Sequence, residues 1–169
     1  ASPMLAGVRF LDLSYNDIGD DGVMALARSP HLISLHFLDL TVSRASPFSG
    51  RSLADWPGLA GLRKLLLSQN ALGDDGLRDL LASNWLSEMR WLDLSGCKLG
   101  KRAGAYLAQA QMPQLRRLSL MSNPLTDAGA DALVGSLPPT LEMLDLRCVQ
   151  LSVQSKGRLR RHFGPCCLL

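Results

Sequence analysis

Four cysteines, three histidines and two acidic pairs are the side chains best suited to hold a metal or act as nucleophiles, and their spacing argues against both. Cys97, Cys148, Cys166 and Cys167 contain no C-x-x-C pair, and His31, His36 and His162 are scattered, so zinc ligation is poorly supported. The pairs Asp20-Asp21 and Asp74-Asp75 lack further oxygen ligands at loop spacing. Flanked by glycines, they read instead as helix starts, with Asp available as N-cap and as negative charge at the positive helix end. No G-x-S-x-G, H-E-x-x-H or phosphate-loop motif occurs, and neither His31 nor His36 has a partner nucleophile at a recognisable spacing. A non-enzymatic protein with no cofactor and no metal is the expectation.

The remaining chemistry is that of recognition. Three rows of residues recur at a fixed interval. One holds Phe10, Phe37, Lys64, Trp91, Arg117 and Met143. A second holds Asp12, Asp39, Leu66, Asp93, Ser119 and Asp145. A third holds Arg9, His36, Arg63, Arg90, Arg116 and Glu142. Aromatic residues and arginine most often dominate interface energetics, and large apolar groups exposed on one surface mark contact sites. Phe10, Asp12, Phe37, Asp39, Arg63, Arg90, Trp91, Asp93, Arg116 and Arg117 are therefore the candidate partner-binding residues. The alternative is a solvated scaffold face. On it Arg and Asp of neighbouring rows pair for about 0–1 kcal/mol, and the aromatics stack on one another.

The rows exist because leucine is periodic. Leu11, Leu38, Leu65, Leu92, Leu118 and Leu144 are 27, 27, 27, 26 and 26 residues apart. Each centres a frame L-x-x-L-x-L-x-x-N-x-L, clearest at Leu62, Leu65, Leu67, Asn70, Leu72 and at Leu115, Leu118, Leu120, Asn123, Leu125. A repeat of this length is one supersecondary unit stacked many times. Each unit opens with a short strand whose leucines point inward and whose intervening residues point outward. The chain then turns at Asn16, Asn70 and Asn123, where an amide can satisfy backbone groups that would otherwise be buried unpaired. Ser43, Cys97 and Val149 stand there in the other repeats. A helix follows, burying Leu26, Leu53, Leu80, Leu107, Leu133 and Leu159. Pro30, Pro57, Pro113 and Pro138 end four of these helices. The second repeat is the odd one: Thr41–Ser52 has no Gly-Asp-Asp-Gly start and reads as a looser, exposed convex segment.

The expectation is one α/β domain over residues 1–169: a right-handed solenoid of about six repeats, with a concave parallel sheet and helices on the convex side. A net charge of +3 does not suggest nucleic acid. No apolar run approaches the roughly 18–20 residues that span a bilayer, and the first residues do not resemble a signal peptide. Unpaired thiols suit a reducing, cytoplasmic compartment. Ser2-Pro3 and Leu5 match Ser29-Pro30 and Leu32 one period later, which reads as a chain opening inside a repeat, truncated at its N-terminus. Residues 152–169 read as a C-terminal cap in which a last helix around Leu159 and Phe163 precedes an apolar tail. Cys166-Cys167-Leu168-Leu169 also fits a prenylation signal at Cys166 behind a basic stretch.

These frames resemble leucine-rich repeat proteins of the ribonuclease-inhibitor type over nearly the whole chain. Ile18–Gly22, Ala25–Ala27, Ser29–Leu32 and the ending Arg158–Gly164 look especially like bacterial members. The resemblance implies protein binding and no catalytic residues. Some proteins of this type activate small GTPases, which is the alternative function that the resemblance raises.

Overall fold

A computed structural model of the chain describes residues 3–169. Ser2, on which the reading of a truncated first repeat leans, lies outside the described residues. The expected strand–helix units are present in order: β1 (Phe10–Asp12), α1 (Gly19–Ala27), β2 (Phe37–Asp39), α2 (Pro47–Ala54), β3 (Lys64–Leu66), α3 (Gly73–Leu81) and β4 (Trp91–Asp93). They continue as α4 (Ala103–Gln109), β5 (Arg117–Ser119), α5 (Asp127–Asp131), β6 (Met143–Asp145), α6 (Val153–Phe163) and β7 (Cys167–Leu168). The seven strands form one all-parallel sheet in chain order. The apolar tail, read as a cover, contributes β7: Leu144 pairs with Cys167 and Asp145 with Leu168.

The register follows the leucine period. Leu11, Leu38, Leu65, Leu92, Leu118 and Leu144 lie side by side, and from Leu38 onward each is fully buried. Leu53, Leu80, Leu107 and Leu159 meet them from the helices, and Leu133 from the turn after α5. Parallel strands sit about 4.7–4.9 Å apart, whereas packed helices need about 8–10 Å. The helical layer is therefore the wider one, and the stack bends with its sheet inside.

Glycine reduces that mismatch at two seams. A Cβ on Gly50 would lie 2.2 Å from the Gly76 carbonyl oxygen, and one on Gly104 would lie 1.7 Å from the Gly129 carbonyl oxygen. The first seam corrects the reading of the second repeat. Thr41–Ser52 is not loose: Ser46 caps α2 by accepting from the Phe48 amide at 3.3 Å, Ser49 is fully buried, and Gly50 lies against α3. Serine and Pro47 supply the helix start that Gly-Asp-Asp-Gly supplies elsewhere.

The turns also act between repeats. Asn70 donates to the carbonyls of Leu67 (2.8 Å) and of Leu40 in the preceding repeat (2.7 Å), and its carbonyl accepts from the amides of Ser43 (3.1 Å) and Ala45 (2.9 Å). Asn123 repeats the pattern with Leu120, Leu94 and the Leu99 amide. Cys97 takes the same place with its thiol donating to the Leu67 carbonyl at 3.1 Å, and burial pushes that thiol up to about 12. The preceding residue is left-handed in all six frames: Tyr15, Val42, Gln69, Gly96, Ser122 and Cys148 have φ of 52–61°.

The acidic pairs also differ from expectation. Residues 18 and 72 stand at the N-cap positions of α1 and α3, and neither makes a side-chain cap bond. Asp20 instead accepts from the Ser46 amide (2.9 Å) and from the hydroxyls of Ser46 and Ser49 (2.5 Å each). Asp74 accepts from the Gly100 amide at 2.7 Å, and Asp127 from the Ser152 amide at 2.8 Å. Each carboxylate ties its own repeat to the start of the next helix.

Candidate functional site: the concave face

The three rows predicted from alternation are rows in the structure. Phe10, Phe37, Lys64, Trp91, Arg117 and Met143 stand in register across β1–β6, as do Asp12, Asp39, Leu66, Asp93, Ser119 and Asp145. The third row immediately precedes each strand, where Arg9, Arg63, Arg90 and Arg116 are exposed.

The aromatics do not all face open solvent. Phe10 is 75% exposed, whereas Phe37 and Trp91 are half-buried because a cation lies between them. Lys64 Nζ sits 3.6 Å from the Trp91 ring centroid and 5.0 Å from that of Phe37. The Arg117 guanidinium covers Trp91 from the other side at 5.1 Å. Phe10 and Phe37 are tilted neighbours at 6.2 Å. The row is thus a ladder of π faces and cations, each exposed contact contributing about 0.5–1 kcal/mol. The Trp91 indole N–H is shielded from solvent and has no acceptor.

Arg and Asp of neighbouring rows do not pair off. In the four repeats with Asp on the second row, the carboxylate accepts the backbone N–H two residues on. Ser14 donates to Asp12 at 2.9 Å, Thr41 to Asp39 at 2.8 Å, Ser95 to Asp93 at 2.9 Å and Arg147 to Asp145 at 3.0 Å. This closes an Asx turn at the strand end. Side-chain and backbone bonds from Ser14 hold the Asp12 carboxyl below the usual range. Burial opposes the charge of Asp145, but bonds from Arg147 outweigh it and its carboxyl is also lowered. The acidic row is committed to its own turns.

The arginines divide accordingly. Arg116 pairs with Glu142 at 2.5 Å. The guanidinium groups of Arg9, Arg63 and Arg90 have no ion pair or hydrogen bond among the described residues. Sequence reasoning missed Lys64, which joins Phe37 to Trp91. It also missed the turn role of the aspartates, although the spacings Asp12-x-Ser14, Asp39-x-Thr41 and Asp93-x-Ser95 carry the Asx-turn signature.

At the C-terminal end, Cys167 is buried and its thiol is pushed up to about 11 by that burial. The Cys166 thiol, half-buried, donates to the Phe163 carbonyl at 2.9 Å. No helix among the described residues is long and apolar enough to cross a membrane.

Comparison with known proteins agrees with the geometry. The family described as Leucine Rich repeat matches residues 8–27, 62–81 and 111–134, each of which covers strand–helix segments of the stack. The chain carries leucine-rich repeats. It is similar to Ran GTPase-activating protein 1 of Xenopus laevis, 34% identical over 131 residues, which is 70% of this chain and 23% of that protein. It is also similar to Podocan-like protein 1 of Homo sapiens, 32% identical over 147 residues, 86% of this chain and 25% of that protein. The chain spans about a quarter of the length of these curated relatives.

Proposed function

We propose that this chain is a non-enzymatic protein-binding scaffold whose partner sits on the concave face, built on repeats of the ribonuclease-inhibitor type. The observation that carries this reading is the in-register ladder of Phe10, Phe37, Lys64, Trp91 and Arg117 beside three unpaired arginines. Aromatic and arginine side chains on a rigid sheet lose little freedom on binding. The aspartates serve the site indirectly, by fixing the strand ends. A cytoplasmic setting goes with this reading, since all four cysteines are free thiols.

Affinity capture from a lysate of the source organism, read by mass spectrometry, tests the proposal. The wild type is run beside a Phe10/Phe37/Trp91→Ala variant of checked fold. A partner retained by the first is expected to bind the second at least about tenfold more weakly, roughly 1.4 kcal/mol. Equal retention by both proteins would place binding elsewhere.

The similarity to Ran GTPase-activating protein 1 favours a second reading, a regulator that accelerates GTP hydrolysis by a small GTPase. The two relatives carry names of quite different kinds, so what the chain shares with both is the repeat itself. Addition of this protein to a panel of small GTPases decides the matter, because an unchanged hydrolysis rate across the panel retires the second reading.

A further inference from the structure

Charge is distributed unevenly along the concave face. Strands β3 to β5 and the residues leading into them carry Arg63, Lys64, Arg90, Arg116 and Arg117, against one carboxylate on the outward rows, Asp93. That carboxylate accepts both the amide and the hydroxyl of Ser95 (2.9 and 2.6 Å). Where the cations are densest, the acidic row is interrupted by Leu66 on β3 and Ser119 on β5. The flanking strands differ: β1 carries Asp12 with Arg9 just before it, β2 carries Asp39, and β6 carries Asp145 with Glu142 just before it, these last two paired with Arg147 and Arg116. The result is a cationic strip three strands wide, with Trp91 at its centre and carboxylates on both sides.

We propose that this strip, on the concave face already assigned to partner binding, takes an acidic segment of a protein. Two features argue for that chemistry. Arg63 and Arg90 are exposed and unpaired on adjacent repeats, and a guanidinium offers bidentate bonds to carboxylates. Lys64 and Arg117 are held over an indole ring rather than against a carboxylate, so neither is neutralised. The width of the strip excludes a long polyanion. Three strands span about 10 Å at 4.7–4.9 Å per step, and the carboxylates of Asp39 on β2 and of Glu142 and Asp145 at β6 disfavour a phosphate backbone that continues past it. A short run of Asp or Glu fits within those limits.

The probes are a fluorescein-labelled peptide of alternating Glu and Ser, its Gln–Ser counterpart, and labelled oligouridylate, each titrated by fluorescence anisotropy at low and high salt. The Glu peptide is expected to bind, to weaken as salt rises, and to exceed the Gln peptide and the oligonucleotide by about tenfold or more. An R63E/R90E/R117E variant is expected to lose that binding, while an R28E/K101E variant, changed away from the strip, keeps it. Equal binding of the Glu and Gln peptides, no binding of the Glu peptide, preference for oligouridylate, or survival of binding in the strip variant each overturns the proposal. The two readings fail separately. A captured partner lost by the Phe10/Phe37/Trp91→Ala variant but kept by R63E/R90E/R117E leaves the concave face as a binding site and removes the acidic segment.

Discussion

The first repeat and the interior repeats carry the same frame and are stabilised differently. Leu38, Leu65, Leu92 and Leu118 have no exposed surface, whereas Leu11 and Leu13, at the corresponding places of the first repeat, are only partly covered. Leu5, Ile18 and Leu26 are likewise half-buried and line an apolar recess of about 310 Å³ with Leu13 and Leu32. Asn70 bonds to two repeats, but Asn16 is exposed and, among the described residues, reaches only the carbonyls of Leu13 (3.2 Å) and Ser14 (3.0 Å) in its own turn. The frame specifies which side chains point inward. The repeat stacked on it decides how much each is worth, which is why stability in such arrays is close to a sum of nearest-neighbour terms.

The strongest way to break the comparison is at the helical seams. Gly104→Ala places a methyl group 1.7 Å from the Gly129 backbone, which cannot yield without parting α4 from α5. Gly22→Ala meets the Cγ2 methyl of half-buried Ile18 at 2.6 Å, a side-chain contact rather than a backbone one. The first change is expected to cost about 3 kcal/mol or more and the second to stay within about 1 kcal/mol, read as urea midpoints at constant slope. Similar costs would mean that the interior seam is as free to relax as the first repeat.

Asparagine sharpens the same contrast at smaller scale. Asn70→Ala leaves the Ser43 and Ala45 amides without a partner inside the stack, while the Leu40 and Leu67 carbonyls keep the Ser43 hydroxyl and the Cys97 thiol. Each such buried orphan costs about 1–3 kcal/mol, partly relieved by water. A net loss of about 2–3 kcal/mol is expected. Asn16→Ala, on the exposed turn, should cost no more than about 0.5 kcal/mol. Equal losses would make the amide a purely local turn former.

The sequence displays local spacing well and partners one period away poorly, and the misreadings follow that line. Leucine alternation placed β1 to β6 and the three outward rows, because one-residue shifts would turn the whole buried set to solvent. Local spacing puts Asp20 and Asp74 at the starts of their own helices, and nothing local shows that the donor is Ser46 or Gly100, 26 residues on. The second repeat looked loose because it lacks the Gly-Asp-Asp-Gly start. Its tightness depends on Gly50 facing Gly76, which is visible only when the repeats are aligned in space. Alternation puts Phe37 and Trp91 on the outward side of the sheet and says nothing about a neighbouring Lys64 folding over the rings.

The mildest prediction concerns the link between the first repeat and the rest. Asp20 joins α1 to the start of α2 through Ser46 and Ser49. Burial works against its charge, but the bonds from Ser46 and Ser49 more than offset this and hold the carboxyl below its ordinary value of 3.8. A carboxyl lowered on folding stabilises the folded state above that ordinary value, and the contribution disappears as pH falls through the folded one. Asp20→Asn keeps the shape and removes the charge, so it is expected to cost about 1 kcal/mol near neutrality and progressively less below pH 3.8. Hydrogen exchange gives the spatial half of the test. If repeats couple only to their neighbours, the α1 and β1 amides lose protection in the variant while those of α5 and α6 are unchanged. Loss spread evenly along the stack would mean that the array opens as a single unit, and that its first repeat is as cooperative as its interior.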